Sequence, residues 1–343
     1  MRKSLLVVSL VLCLAVVIAA QGGGVLLTGA GATFPNPMYS KWFDVYHTLH
    51  SNIEINYQSI GSGGGIRQVL AGTVDFGASD GPMNDDQIKE FKQKRGVDIL
   101  HFPTVLGADV PTYNVAGITT DLNFTQKALV AVFLGSIRKW NDPEITGPNP
   151  GVKFPDSDIL VVHRSDGSGT TYVWTDFLAK ASGEWKSKVG TGTSVNWPVG
   201  LGGKGNEGVA GLVKQTPNSL GYVELVYAIQ NKMPYGQVQN ADGKFVKADL
   251  ASVTAAAAEA SKNMPDDFRV SITNALGATA YPVSSFTWLL IPSQFSDPAK
   301  RDAIKDFLKW MLADGQNYTE ALSYARLPKP VIAKEEQAIS RIK

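Results

Sequence analysis

The chain has 343 residues, with 32 Lys and Arg against 31 Asp and Glu, so its formal net charge is +1. That balance provides no basic field for nucleic acid or an anionic membrane surface, so any anion site must be local. The length exceeds what one hydrophobic core usually serves and points to two domains.

Residues 1–20 read as a secretory signal peptide: Arg2-Lys3, an apolar segment from Leu5 to Ile18, then Ala19-Ala20. The segment is short for a membrane span, and no other run approaches one. Cys13, the only cysteine, lies inside it between Leu12 and Leu14, a poor fit to a lipoprotein cleavage box. Cleavage near Ala20 takes the net charge from +1 to −1 and leaves no disulfide. Export without disulfides suits a bacterial envelope protein, with the periplasm as the expected location.

Val25 to Thr28 reads as a strand, followed by GAGATFPNP and a helix from Met38 to Leu49 with Trp42, Phe43 and Tyr46 on its apolar face. The alternating strand Ile53 to Tyr57 runs into the turn Ser59 to Gly65 and a helix from Ile66 to Leu70. Thr73 to Asp80 is a strand ending on Ser79 and Asp80, and Asp85 to Lys94 a charged surface helix. A strand from Ile99 to Val105 precedes the second lobe, where Tyr113 to Val115 is a further strand and Gln126 to Leu134 a helix. The buried-strand run Ile159 to Val162 leads through HRSDGSGTT into a helix carrying Val173, Trp174, Phe177 and Leu178. Beyond it come a helix from Val209 to Lys214, a strand from Leu220 to Val223 and a hairpin turn at Asn240 to Gly243. Ala255 to Ala260 is a helix former, Ser284 to Ile291 an apolar strand, Pro298 to Ala313 an amphipathic helix, and the tail after Arg326 helical. Strands alternating with helices mean an α/β fold with largely parallel sheets.

One device occurs three times, at Thr33, Ser62 and Ser168: a strand feeding a Gly- and hydroxyl-rich turn at a helix start. Such turns present unpaired N–H groups and hydroxyls in front of the positive helix end, at the strand ends where ligands of open α/β sheets bind. Arg164 adds a planar fork for an oxyanion, and Asp166, two residues on, can orient it. The plainer reading makes Ser168 or Thr170 a helix cap in a turn with no ligand. Asp80 is the misfit, because a carboxylate beside an anion repels it unless the ligand still carries a proton. An ionised Asp80 accepts a hydrogen bond from hydrogen phosphate or dihydrogen phosphate and meets sulfate with like charge.

The stretches TGAGATFP, GSGGG, VDFGASD, RSDGSGT and VGTGTSVNWPVGLGGKGNEGV, in this order between about Leu27 and Leu327, resemble the periplasmic phosphate-binding proteins of phosphate ABC importers. The resemblance implies the two-lobed periplasmic-binding-protein fold: α/β, each lobe a mixed, mainly parallel sheet flanked by helices, with the ligand cleft between the lobes. It implies one lobe from residues 21–104 plus 274–343 and the other from residues 105–273. By matching motif, phosphate contacts fall on Thr33, Phe34 (through its N–H), Ser62, Asp80, Arg164, Ser168, Gly169 and Thr170, with Asp166 as partner to Arg164. The implied partners are inorganic phosphate and an inner-membrane ABC permease with its ATPase subunits, the protein being a monomer without cofactor. Gly107 to Asn114 departs from the pattern, being more polar than the inner strand expected there.

Other chemistries fit less well. Neither Ser62 nor Ser168 lies in G-x-S-x-G, since Ile60 and Asp166 occupy the glycine positions, so no catalytic residue is expected. Gly203-Lys204 is followed by Gly205 where a phosphate-binding P-loop needs Ser or Thr, so the stretch reads as a supporting turn near the cleft mouth. His47 and His50 share a helix without a third ligand, so no metal is expected. The alternatives left open are another oxyanion, arsenate or sulfate, and a phosphate scavenger or sensor without a transport role.

Overall fold

The computed structural model describes residues 24–343; the signal-peptide reading of residues 1–20, with Cys13, falls outside them. The first half of the chain runs β1 (Val25–Gly31), α1 (Asn36–Leu49), β2 (Ile53–Ser59), α2 (Ser62–Ala71), β3 (Phe76–Ser79), α3 (Asp85–Arg95) and β4 (Ile99–Asn114). There follow β5 (Asn123–Phe124), α4 (Gln126–Phe133), α5 (Pro143–Thr146), β6 (Leu160–Arg164), α6 (Gly169–Ala181), α7 (Gly183–Lys188), β7 (Leu201–Gly203) and α8 (Gly205–Gln215). The rest is β8 (Ser219–Glu224), α9 (Leu225–Gln230), β9 (Gln237–Gln239), β10 (Phe245–Val246), α10 (Leu250–Lys262), β11 (Ser284–Pro292), α11 (Pro298–Leu312) and α12 (Lys329–Ala338).

Eight strands form one ladder in the order β2-β1-β3-β11-β4-β8-β6-β7, and β10-β9-β5 form a small second sheet. Parallel pairs at both ends (β1 with β2 and β3; β6 with β7 and β8) are joined through the antiparallel strands β11 and β4. β4 makes the junction. Its first part, Ile99 to Ala108, pairs with β11, and its last part, Asp109 to Asn114, pairs with β8. Each half of the ladder packs its own helices, so the architecture is the two-domain mixed α/β fold.

Local chemistry explains most boundaries. Pro37 sits in the first turn of α1, where a missing N–H costs nothing. Asn84 and Gln87 form a capping box on α3, and Asp249 with Ser252 another on α10. Ser168 Oγ accepts from Thr171 N–H at 3.0 Å and so caps α6.

Three expectations need correction. The strand expected over Thr73–Asp80 shortens to Phe76–Ser79, because Asp75 turns its carboxylate onto the N–H and hydroxyl of Thr28. α2 begins at Ser62, so Gly63, Gly64 and Gly65 are its first turn rather than the turn before it. The break expected between Val105 and Tyr113 does not occur: β4 is one strand of 16 residues, and Asp109 and Thr112 are as buried as Val110. Its polar stretch stays extended because the backbone pairs with β8 from Asp109 to Asn114, and Thr112 Oγ1 donates to Pro234 O at 2.8 Å.

Candidate anion cleft between the two half-sheets

β1 and β3 run opposite to β6 in the ladder, so their C-terminal ends point toward one another, and their turns deliver the expected residues to a shared, buried cluster. Thr33, Phe34, Ser62, Asp80, Arg164, Ser168 and Thr170 are each at most 3% exposed. On the α6 side, Arg164 donates from Nε and Nη2 to the two carboxylate oxygens of Asp166 at 2.8 and 2.7 Å, a bidentate pair that locks the guanidinium plane. Its remaining nitrogen, Nη1, donates to Thr170 Oγ1 at 3.2 Å. Burial works against the charge of both partners, yet their hydrogen bonds and mutual attraction win. The guanidinium is held above its usual range and the Asp166 carboxyl below it.

On the other side, Thr287 Oγ1 donates to Asp80 Oδ1 at 2.8 Å, and Asp80 N–H donates to Ser62 Oγ at 3.3 Å. Ser62 Oγ lies 3.5 Å from Asp80 Oδ2. Burial pushes Asp80 up to about 7, against the pull of Thr287, Arg164 and Ser62. The carboxyl expected to be ionised is therefore close to half protonated near neutral pH, because the enclosed site disfavours its charge.

The two sides touch. Gly63 N–H donates to Gly167 O at 2.9 Å, joining the first turn of α2 to the β6–α6 turn. A Cβ added to Gly169 would fall 2.3 Å from Asp80 Oδ2 and 2.4 Å from Ser62 Oγ, so only glycine lets α6 approach β3 this closely. Gly61, at φ +85°, is likewise required: a Cβ there would meet Asp166 Oδ2 at 2.3 Å. No side chain caps α1 or α2; of their first-turn N–H groups, that of Asn36 bonds Thr33 O and that of Gly63 bonds Gly167 O. Ser168 serves as cap and cluster residue together.

Sequence reasoning missed several members. Asn206, in the first turn of α8, donates from Nδ2 to Thr33 Oγ1 at 2.8 Å and to Thr170 Oγ1 at 3.1 Å, bridging the two sides. Its Oδ1 accepts from Glu224 N–H at 2.9 Å. The stretch Gly203 to Gly208, expected as a supporting turn at the mouth, thus brings a fourth helix start to the cluster. Its signal was an Asn in a Gly-rich helix start, the pattern already noted three times. Tyr227 Oη donates to Thr33 O and Tyr324 Oη to Phe34 O, both at 2.6 Å, fixing the α1 turn from behind. A surface cleft of about 630 Å³ beside Asn36, Glu207 and Tyr227 and another of about 810 Å³ beside Pro82, Tyr172 and Ser194 flank the cluster.

Four helix starts, four side-chain hydroxyls, one pinned arginine and one carboxyl of raised pKa, closed between two α/β halves, define a binding protein whose ligand is enclosed at the domain boundary. The comparisons specify the family. A model described as the PBP superfamily domain matches residues 19–315. The phosphate-binding protein PstS of Xylella fastidiosa is 47% identical over 321 residues, covering 93% of this chain and 86% of that protein. The corresponding protein of Pasteurella multocida is 45% identical, covering 90% and 88%. The chain belongs to this PstS phosphate-binding protein family of the PBP superfamily. Among solved structures, a periplasmic phosphate-binding protein bound with phosphate (PfluDING) superposes with a TM-score of 0.73 at 19% identity, covering 91% of this chain and 93% of that one. A phosphate-binding protein from Stenotrophomonas maltophilia gives 0.69 at 18%, covering 92% and 94%. At those identities the likeness speaks for the fold.

Proposed function

We propose that this protein binds inorganic phosphate, as hydrogen or dihydrogen phosphate, in the buried cleft and delivers it to an ABC-type importer. The observation that carries the reading is Asp80: in its ionised form, a carboxyl inside an otherwise donor-rich anion cradle suits only a ligand that brings a proton. Asp80 and phosphate share that proton, whichever of the two holds it at a given moment. Thr33, the N–H of Phe34, Ser62, Arg164, Ser168, Gly169 and Thr170 donate to the remaining oxygens, each charge-assisted bond contributing about 1.5–3 kcal/mol net. The related proteins carry phosphate-binding names, which supports the same reading and a role in binding rather than catalysis.

The mechanism is closure of two lobes over a dehydrated anion, with lobe I formed by residues 21–104 plus 274–343 and lobe II by residues 105–273. The ladder supports this division, since β4 and the approach to β11 carry the chain between its halves. The protein works in the periplasm as a monomer, handing ligand to a membrane permease with its ATPase subunits. Equilibrium dialysis of the mature, phosphate-stripped chain against radiolabelled phosphate tests this: one site filled per chain is expected, and no retained label would overturn the reading.

A further inference from the structure

Asp109 is fully buried, and neither of its carboxyl oxygens has a hydrogen-bond partner. It lies directly across the β4–β8 ladder from Glu224, also fully buried, whose Oε1 is likewise without a partner. The backbone of neither residue bonds the other: Asp109 N–H donates to Val283 O and Glu224 N–H to Asn206 Oδ1. Such a non-hydrogen-bonded antiparallel pair brings its two side chains close, onto one face of the sheet. That face is the one beneath the cleft. Gly107, two residues before Asp109, shares it, and a Cβ there would meet the ring of Phe34 at 2.5 Å and Glu224 Oε1 at 3.2 Å.

The surrounding charges leave the pair without a counter-ion. Arg164 is the one buried cation among the described residues, and Asp166 already holds it in a bidentate pair. The other titratable groups that reach the two carboxyls are Asp80 at the end of β3, Tyr222 on β8, Tyr281 before β11, and Tyr227 and Tyr324 around Glu224. Two carboxylates side by side, out of water and next to a third, cannot all ionise where an anion is to bind. Burial, reinforced by Asp80 and, for Asp109, by Glu224, accordingly raises both Asp109 and Glu224 well above the carboxylate range.

We propose that Asp109 and Glu224 act as a proton-holding carboxyl pair beneath the anion cleft, whose ionisation in alkaline solution places negative charge under the ligand and weakens its binding. The proposal rests on the phosphate reading. Binding then draws a proton from solvent onto the pair: carboxylate plus H⁺ gives the neutral carboxyl, and the incoming anion favours that form. Asp109 is a positioning residue in this scheme, setting the charge of the cleft without touching the ligand.

The test titrates inorganic phosphate into the wild type and Asp109→Asn at a series of alkaline pH values above about 8, with affinities referred to hydrogen phosphate, the predominant species there. Wild-type affinity is expected to fall as pH rises, by up to about tenfold per pH unit, and the Asp109→Asn profile to be flatter. Glu224→Gln, which keeps the acceptor for Val226 N–H, is expected to flatten it as well. Calorimetry in two buffers of different ionisation enthalpy is expected to show proton uptake by the wild type alone. Parallel profiles, or a wild type that takes up no proton, would overturn the proposal and leave phosphate binding standing. A wild type that binds no phosphate at any pH would overturn the phosphate reading, and this inference with it.

Discussion

With Asp80 raised to about 7 by burial, its carboxyl exchanges roles within the ordinary pH range. Above that value it is ionised and can only accept, so it suits a protonated oxyanion and repels sulfate. Below it the neutral form predominates and can donate, so sulfate gains a partner instead of a like charge. Sulfate exclusion should therefore weaken as pH falls through about 7, which competition titrations at acidic and alkaline pH would detect. Asp80→Asn fixes a donor at all pH values and should admit sulfate throughout. Sulfate exclusion that is unchanged in the variant would show that Asp80 does not face the ligand. The residue type at Asp80 was legible in the sequence as the one acid in a run of donors. Its raised pKa was not, since burial to 1% exposure arises from chain segments far apart.

At the scale of elements, helix starts do the work, and their reach depends on glycine. Gly169→Ala would drive a methyl group into Asp80 and Ser62, so α6 must retreat from β3. Close-packed interiors do not absorb an overlap of that size. Phosphate affinity should drop by more than about tenfold, equivalent to about 1.4 kcal/mol, while the apo protein stays folded. Calorimetry together with thermal unfolding checks both halves, and unchanged affinity would mean that the two sides never approach this closely in solution. These contacts also explain what sequence reading could and could not see. The turns at Thr33, Ser62 and Ser168 were legible from their strand–glycine–helix spelling. The helical state of Gly63 to Gly65 was not, because glycine is a poor helix former and is used here for the approach of Gly167 and the β1 backbone. Asn206 and Thr287 stayed hidden because each is ordinary in its own element and acquires its role from a partner more than 80 residues away, at Thr33 and Asp80. The continuity of β4 was not legible because its polar residues mimic a break, whereas β11 and then β8 pair with its two parts in turn.

For the whole molecule, the direct links across the cleft include Gly63 to Gly167, Asn206 to Thr33 and Tyr227 to Thr33, and Arg269 adds bonds to Met83 O and Asp85. The ligand would add bonds to both sides of the cleft, so the stripped protein should open. Small-angle scattering should show a radius of gyration near about 20 Å for the loaded chain and a larger value once phosphate is removed. Equal values in both states would argue against closure as the binding mechanism. The most direct test of the central claim, a cleft built for an oxyanion that carries a proton, is calorimetric titration of the stripped mature chain with phosphate and with sulfate at alkaline pH. Tight one-to-one phosphate binding without sulfate heat is the predicted result. Sulfate binding as tight as phosphate would contradict it.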